Sequence, residues 1–427
     1  MKFRQLRLEG WRQFEEIKID FDDRLTIITG ANGAGKSTIL RLLAQHFGLQ
    51  NSLLSTPTYG ETGLLSYISG IFGLARNRFA SPLGLRIPSR NTALTDIGTL
   101  MYSNLQVAQI GIPLNGGASY NVTISAQQNV QGLHIGSHRP VQAYQQVTSI
   151  PTNAISAERA YQLFDQETKQ RYQNGNSQFS PIFRMKEALI SMATFGPGNQ
   201  YVQRNDGVAR LFDEFKQILS QLLPTSIGFR DISVRIPDVV MVTDTGDFML
   251  DAASGGLMSL IELAWQIFLY AHDKEEFVVT MDEPENHLHP SMQRSLLRRL
   301  VSAFPGAQFV VATHSPFIVS SVRESSVYVL KYSDPHDYEQ PGVNSKVISI
   351  ELDQANKAAT ASEILRGVLG VPVTLPEWAE DDLRLIAGDF EIDSLNSQGI
   401  ADLRHRLDEA GLGEYYPEAL RQITGSR

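Results

Sequence analysis

The sequence predicts an α/β fold: a head with a mixed sheet, split by a β-rich and helical insertion and followed by a helical C-terminal extension. Three observations carry this. Residues 1–50 read as strand, strand, loop and helix, with Phe3, Leu6 and Leu8 beginning the first strand and Ile17, Ile19 and Phe21 on alternating positions in the second. Residues 251–350 return to helix–strand alternation and end in apolar runs at Phe309–Ala312 and Ser326–Leu330. Between these blocks no heptads run, so the halves are not joined by a coiled coil.

Taken in order, the chain divides into four stretches. Residues 1–50 hold the first half of the head, with a Gly-rich loop after Leu25–Thr29 and a helical stripe over Thr38–Phe47. Residues 51–230 are the insertion. Strands are expected at Leu105–Ile112, Tyr120–Ser125 and Leu133–Ser137, separated by polar turns such as NGG. Helices are expected at Glu187–Ala193 and Val208–Leu223. Residues 231–350 form the second half of the head. Ile232, Val234 and Ile236 alternate, and Val239–Val242, a TDTGD turn and Phe248–Leu250 read as a hairpin. Residues 351–427 are mostly helical, with apolar positions at Leu365, Val368, Leu369, Trp378, Leu383 and Leu385.

Composition narrows the function. The 427 residues are 42% hydrophobic and 19% charged, ordinary for a globular chain and unlike a collagenous or disordered one. The absence of cysteine excludes disulfides, thiol catalysis and Cys-ligated metal. No apolar run reaches membrane-spanning length and the N-terminus lacks a signal-peptide core, so a cytoplasmic location and no membrane partner are expected. The net charge of −9 is concentrated at the end: Glu351–Arg427 holds 15 Asp/Glu against 7 Lys/Arg. That argues against a surface given over to nucleic acid, though not against a local basic groove. Arg76, Arg78, Arg86 and Arg90 lie in a stretch without acid, read as a solvated loop.

The chemistry-bearing residues come in three groups. Gly30-Ala31-Asn32-Gly33-Ala34-Gly35-Lys36-Ser37 matches G-x-x-x-x-G-K-[ST] in full, between an apolar strand and a helix. Its glycines let successive N–H groups face a polyphosphate, and the helix N-terminus adds positive potential. Lys36 would reach the β- and γ-phosphates and Ser37 a Mg²⁺ ion, so ATP and Mg²⁺ are the expected cofactors. Phe277–Asp282 reads as a buried strand ending in two carboxylates, Asp282 for the metal shell and Glu283 as general base. Phe309–Ala312 is a second apolar strand leading to His314, suited to sensing the γ-phosphate and steadying the attacking water.

With Ala253-Ser254-Gly255-Gly256 ahead of a helix, these motifs resemble the ATP-binding-cassette ATPases. Ser254 lies 28 residues before Asp282, close to that family's separation of signature and acidic strand. The resemblance implies that Ser254, Gly255 and Gly256 complete the nucleotide site of a second protomer. Leu257 stands where the family usually has Gln or Glu, which weakens the trans contact without removing it. The 218-residue gap from Lys36 to Ser254 and the segment DEPENHLHP resemble the SMC, RecF and OLD-like branch, not transporter cassettes. Leu8–Phe14 is similar to that branch's N-terminal entry, implying Arg12, with Thr38, as further nucleotide contacts, and His289 stands at its D-loop. Ile155–Arg159 is similar to a segment of the compact members. Size and motif set look closest to cassette ATPases encoded beside an effector, such as Septu-type PtuA and other anti-phage defence ATPases.

No TOPRIM, HNH or PD-(D/E)xK arrangement is found. Asp389–Asp393 lacks the strand that a TOPRIM pair needs and reads as an exposed acidic turn. The expectation is a switch ATPase that pairs through two ATP molecules as a homodimer or higher homo-oligomer and controls an effector protein, a nuclease or toxin. The rival is a repair ATPase that grips DNA across its dimer. The Mg²⁺-sensing glutamine stays open among Gln127, Gln128, Gln145 and Gln146.

Overall fold

Leu25–Gly30, buried at every position, sits inside an eleven-stranded mixed sheet. The computed structural model describes residues 1–50, 52–59, 65–69, 94–113, 117–137, 144–172, 175, 177–333, 346–353, 360–369, 376–390, 392 and 395–424. The Arg76–Arg90 cluster lies outside them, as do parts of the Asp389–Asp393 turn.

Ser326–Tyr332, Leu25–Gly30, Ala307–Ala312, Phe277–Asp282 and Gly132–Ile135 run side by side and parallel. Three of them are buried at all six positions, because a parallel sheet covered on both faces has no solvent side to alternate toward. The helix Lys36–Ala44 packs Ile39, Leu40, Leu42 and Leu43 against this part.

The other half is largely antiparallel. Val347–Glu351 joins it to Phe14–Asp20, followed by Phe3–Trp11, Leu94–Tyr102, Val107–Pro113 and Thr123–Ser125. Here the alternation expected of the second strand holds: Ile17 and Ile19 turn into one core with Leu6 and Leu8, and Phe3 joins them across a register shift at Phe3/Gln5. The stretch read as an insertion therefore supplies four strands to the head sheet. Leu94–Tyr102 escaped the sequence reading because a register shift at Asp96/Gly98 breaks its alternation. Gly98 is there because its neighbour is the Arg7 carbonyl, with which any Cβ would collide.

A helical group covers one side of the parallel strands. It comprises Ala157–Tyr172, Pro181–Phe195, Asp206–Leu222 and Gly255–Ala271. The last is apolar nearly all round and correspondingly buried, with Trp265 edge-on to Phe215 at 4.8 Å. Ala157–Tyr172 was not expected. It is mostly polar and buries only Ala157, Ala160, Phe164 and Glu167, too few for a stripe to be read. Phe229–Arg235, Asp238–Thr243 and Phe248–Met249 form a separate three-stranded sheet.

Residues 1–361 form one compact unit and 362–427 a second. The second has its own small core of Ala379, Leu383, Leu403, Leu407 and Leu412, while the apolar Trp378 and Leu385 are exposed. Among the described residues no helix is long and apolar enough to cross a membrane. The architecture is the mixed-sheet α/β fold with C-terminal helices that the sequence predicts.

Candidate nucleotide-binding site

The loop after Leu25–Gly30 is shaped by three glycines with left-handed backbone, Gly30 (φ 136°), Gly33 (φ 78°) and Gly35 (φ 98°). Space demands glycine too. A Cβ at Gly30 would meet the Leu330 carbonyl, and one at Gly35 the Phe14 ring and the Gln13 amide. Asn32 and Gly33 stand exposed at the tip while Ala34 is buried beneath it. No side chain caps the helix that Gly35 opens, so the first-turn N–H groups of Lys36, Ser37 and Thr38 remain as donors.

Lys36 is buried, and its ammonium donates to the Gly30 and Ala31 carbonyls, each at 3.0 Å. Both partners are neutral. Burial lowers its pKa to about 8, opposed by the charges of Glu283, Asp282 and Glu285. A cation curled onto uncharged carbonyls at the mouth of an N–H-lined loop fits a polyphosphate, which would give it anionic partners. The Ser37 hydroxyl lies close to the Asp282 carboxylate, so the two groups expected at Mg²⁺ are adjacent. Asp282 is buried, which raises its pKa; the nearby Ser37 hydroxyl works the other way. Ser37 and Asp282 could hold a divalent ion whose other ligands come from phosphate and water, the usual Mg²⁺ arrangement.

Glu283 follows at the strand end with φ 47°, a left-handed conformation rare for a residue with a side chain. Its N–H donates to the Ala312 carbonyl at 2.8 Å. The side chain then lies with Oε2 accepting from Asn286 Nδ2 at 3.0 Å and Oε1 3.8 Å from His314 Nε2. His314 is about one-third exposed, and burial followed by the Lys36 charge lowers its pKa, so the ring is neutral at pH 7. Lys36, Ser37, Asp282, Glu283 and His314 thus converge from three adjacent parallel strands.

Several residues of this corner escaped the sequence reading. Glu285 is buried and accepts from the Thr313 hydroxyl and from the His314 N–H at 3.2 Å; burial raises its pKa. Asn286 also donates to the Ser137 carbonyl at 3.3 Å, tying the base to the end of Gly132–Ile135. Gln13 donates to the Gly33 carbonyl at 3.3 Å, and the Tyr332 hydroxyl stands beside Gly33. Only Glu285 and Asn286 had a signal, their position directly after the two carboxylates. Arg12 (φ 53°) lies on the turn next to Gln13, with its charge near the Tyr120 hydroxyl, which accepts from Trp11 Nε1 at 3.1 Å. Of the candidate glutamines, Gln145 donates to the Gln178 carbonyl and accepts from the Ser180 N–H, so its amide is engaged away from the loop. Gln128 bonds the nearby Ala126 carbonyl.

Ser254, Gly255 and Gly256 are not part of this convergence. Ser254 caps the helix Gly255–Ala271, its Oγ accepting from Leu257 N–H, and both Ser254 and Gly255 are exposed. Gly256 packs against the D-loop segment, where a Cβ would come within 2.7 Å of the His287 carbonyl. His289 caps the next helix, Pro290–Ala303, through Ser291, and is exposed.

A family model described as "AAA domain" matches residues 5–58, and one described as "AAA domain, putative AbiEii toxin, Type IV TA system" matches 241–320. The first contains the glycine loop; the second spans Ser254 to His314. The chain is 21% identical over 395 residues to the retron Ec83 probable ATPase of Escherichia coli, covering 78% of this chain and 72% of that protein. It is 23% identical over 202 residues to the Septu protein PtuA of Bacillus thuringiensis, 44% of this chain and 48% of the relative. The SMC head domain from Thermotoga maritima aligns over 83% of this chain and all of its own at 16% identity, with a TM-score of 0.43. The chain thus resembles a retron probable ATPase and a Septu protein.

Proposed function

We propose that the chain is a switch ATPase that binds ATP, pairs with a second copy around it, and relaxes on hydrolysis. The observation that carries this reading is Glu283: a carboxylate in a left-handed backbone position, one oxygen held by Asn286 and the other facing His314, beside Lys36 and the Ser37–Asp282 pair. Lys36 exchanges its two carbonyl partners for β- and γ-phosphate oxygens. Ser37 and Asp282 would hold the divalent ion, which would neutralise phosphate charge. Glu283 takes the proton of the attacking water at one carboxylate oxygen while Asn286 fixes the other. His314, neutral at pH 7, donates toward the γ-phosphate side.

Ser254, Gly255 and Gly256 form the second half of the site, for the nucleotide of the other protomer. An exposed helix N-terminus that opens on two glycines is suited to an anion. Assembly then depends on the γ-phosphate, and hydrolysis weakens it. The named relatives support a role in anti-phage defence, with the switch controlling a nuclease or toxin partner. Phosphate release tests the first step: Glu283→Gln should retain ATP binding and lose turnover, and undiminished turnover would remove Glu283 from the mechanism.

One feature favours the DNA-gripping alternative. Arg294 and Arg298, both exposed, line a groove of about 310 Å³ with Ser291, Ser295 and Ser321. Duplex binding that weakens steeply with salt and is lost in Arg294→Glu/Arg298→Glu would support that alternative.

A further inference from the structure

Lys186 lies in the helical group, outside the convergence of loop and carboxylates, yet it is fully buried. Its ammonium donates to the Gln145 carbonyl at 2.7 Å and to Asp238 Oδ1 at 3.2 Å, and stands 2.8 Å from Asp251 Oδ2. The Tyr144 ring lies 4.9 Å away, and its hydroxyl donates to Asp238 Oδ2 at 3.0 Å. Four separate segments meet at one nitrogen: the 144–145 stretch, the helix Pro181–Phe195, the strand Asp238–Thr243 and the 3₁₀ turn Leu250–Ala252.

The last of these matters most. Asp251 precedes Ser254 by three residues, and the Ala253 N–H closes the turn onto the Leu250 carbonyl at 3.1 Å. Beyond Ser254 the helix Gly255–Ala271 is locked by its almost complete burial. The turn is therefore the adjustable link that sets where Ser254 and Gly255 stand on the surface, and Lys186 holds it from behind. An apolar side chain would fill the same space without the desolvation cost of a buried ion cluster. The ammonium adds an electrostatic hold on the Asp251 carboxylate. We propose that Lys186, through Asp251, is a positioning residue that fixes the signature turn for a phosphate of another protomer. This rests on the trans-site reading above.

The two aspartates separate positioning from general support, because both form ion pairs with the same lysine but only Asp251 belongs to the signature turn. Hydrogen–deuterium exchange of the full-length protein reads the turn directly, at the Leu257 and Met258 amides that donate to Ser254. Asp251→Asn should speed their exchange at least tenfold, and Asp238→Asn by twofold or less. Equal effects, or none, would overturn the assignment. If the single variants do not fold, Lys186→Met/Asp238→Asn/Asp251→Asn removes all three charges together. It should fold and show the same faster exchange, whereas parent-like exchange would mean that packing alone places the turn. In a Glu283→Gln background with ATP–Mg²⁺, Asp251→Asn should weaken assembly at least tenfold with ATP affinity unchanged. Faster exchange with undiminished assembly would refute the trans role of the turn. Failure of Glu283→Gln itself to assemble would refute the pairing reading, and the exchange contrast would still decide what Lys186 holds.

Discussion

The glycine-loop corner and the signature turn belong to one proposed site but are built in opposite ways. The corner is assembled from three neighbouring parallel strands, with Lys36, Asp282 and Glu285 buried and cross-linked before any ligand arrives. The signature turn shows Ser254 and Gly255 to solvent and is held from within by Lys186 and by Gly256 against the D-loop. A preorganised pocket spends little on reorganisation when it binds or reacts. An exposed glycine turn completes nothing in its own chain, as expected of a surface made for another copy. The difference teaches that nucleotide affinity and assembly should be separable by mutation.

Glu283→Gln should show the largest effect, a fall in phosphate release of about 10²–10⁴-fold, the usual span for losing a general base. ATP affinity should stay within a few-fold. A turnover loss below tenfold would break the corner as described. Lys36→Ala should come next and act on binding. Losing charge-assisted bonds to phosphate costs about 1.5–3 kcal/mol, or roughly 10–100-fold in Kd, readable by isothermal titration. Unchanged affinity would contradict its place at the phosphates.

Gly256→Ala sharpens the comparison from the other side. Its Cβ would sit 2.7 Å from the His287 carbonyl, so the signature and D-loop must separate. We expect a roughly tenfold loss of ATP-driven assembly, with monomer affinity for ATP unchanged. A parallel loss of both would show that the two regions are not independent.

What the sequence disclosed follows the same division. The corner was legible because its residues are fixed by local chemistry: a loop needing positive φ at Gly30, Gly33 and Gly35, and carboxylates at the end of a uniformly apolar strand. The supports of Glu283 and His314 were not, because Asn286 and Glu285 act through partners such as Ser137 and Thr313 that are remote in sequence. Arg12 came near the loop but has its charge near the Tyr120 hydroxyl. Of the strands that residues 94–135 give to the head sheet, Val107–Pro113, Thr123–Ser125 and Gly132–Ile135 answer to expected strands and Leu94–Tyr102 does not. What stayed hidden was their place in the sheet, because Leu94–Tyr102 and Gly132–Ile135 pair with Phe3–Trp11 and Phe277–Asp282, far along the chain.

The smallest expected effect is on stability against pH. Burial lowers the pKa of His46 and of His134 to about 4, from an ordinary 6.5. Both are neutral partners in the fold, His46 to the Tyr102 hydroxyl and His134 to that of Thr280. Unfolded, they bind protons from about pH 6.5 downward, so their contribution is intact above that pH and is lost as pH falls toward 4. Asp282 and Glu285, whose pKa values are raised, act in the opposite direction and offset part of the loss. The melting temperature should therefore decline from pH 6.5 to 4, less steeply in His46→Gln; an identical slope would remove His46 from the account.

The most direct test of the central claim is the mass in solution, by light scattering, of full-length Glu283→Gln protein with and without ATP–Mg²⁺. A doubling that needs ATP, and that Ser254→Arg abolishes without loss of ATP binding, is the predicted result. An unchanged mass at saturating ATP would contradict a site shared between two copies.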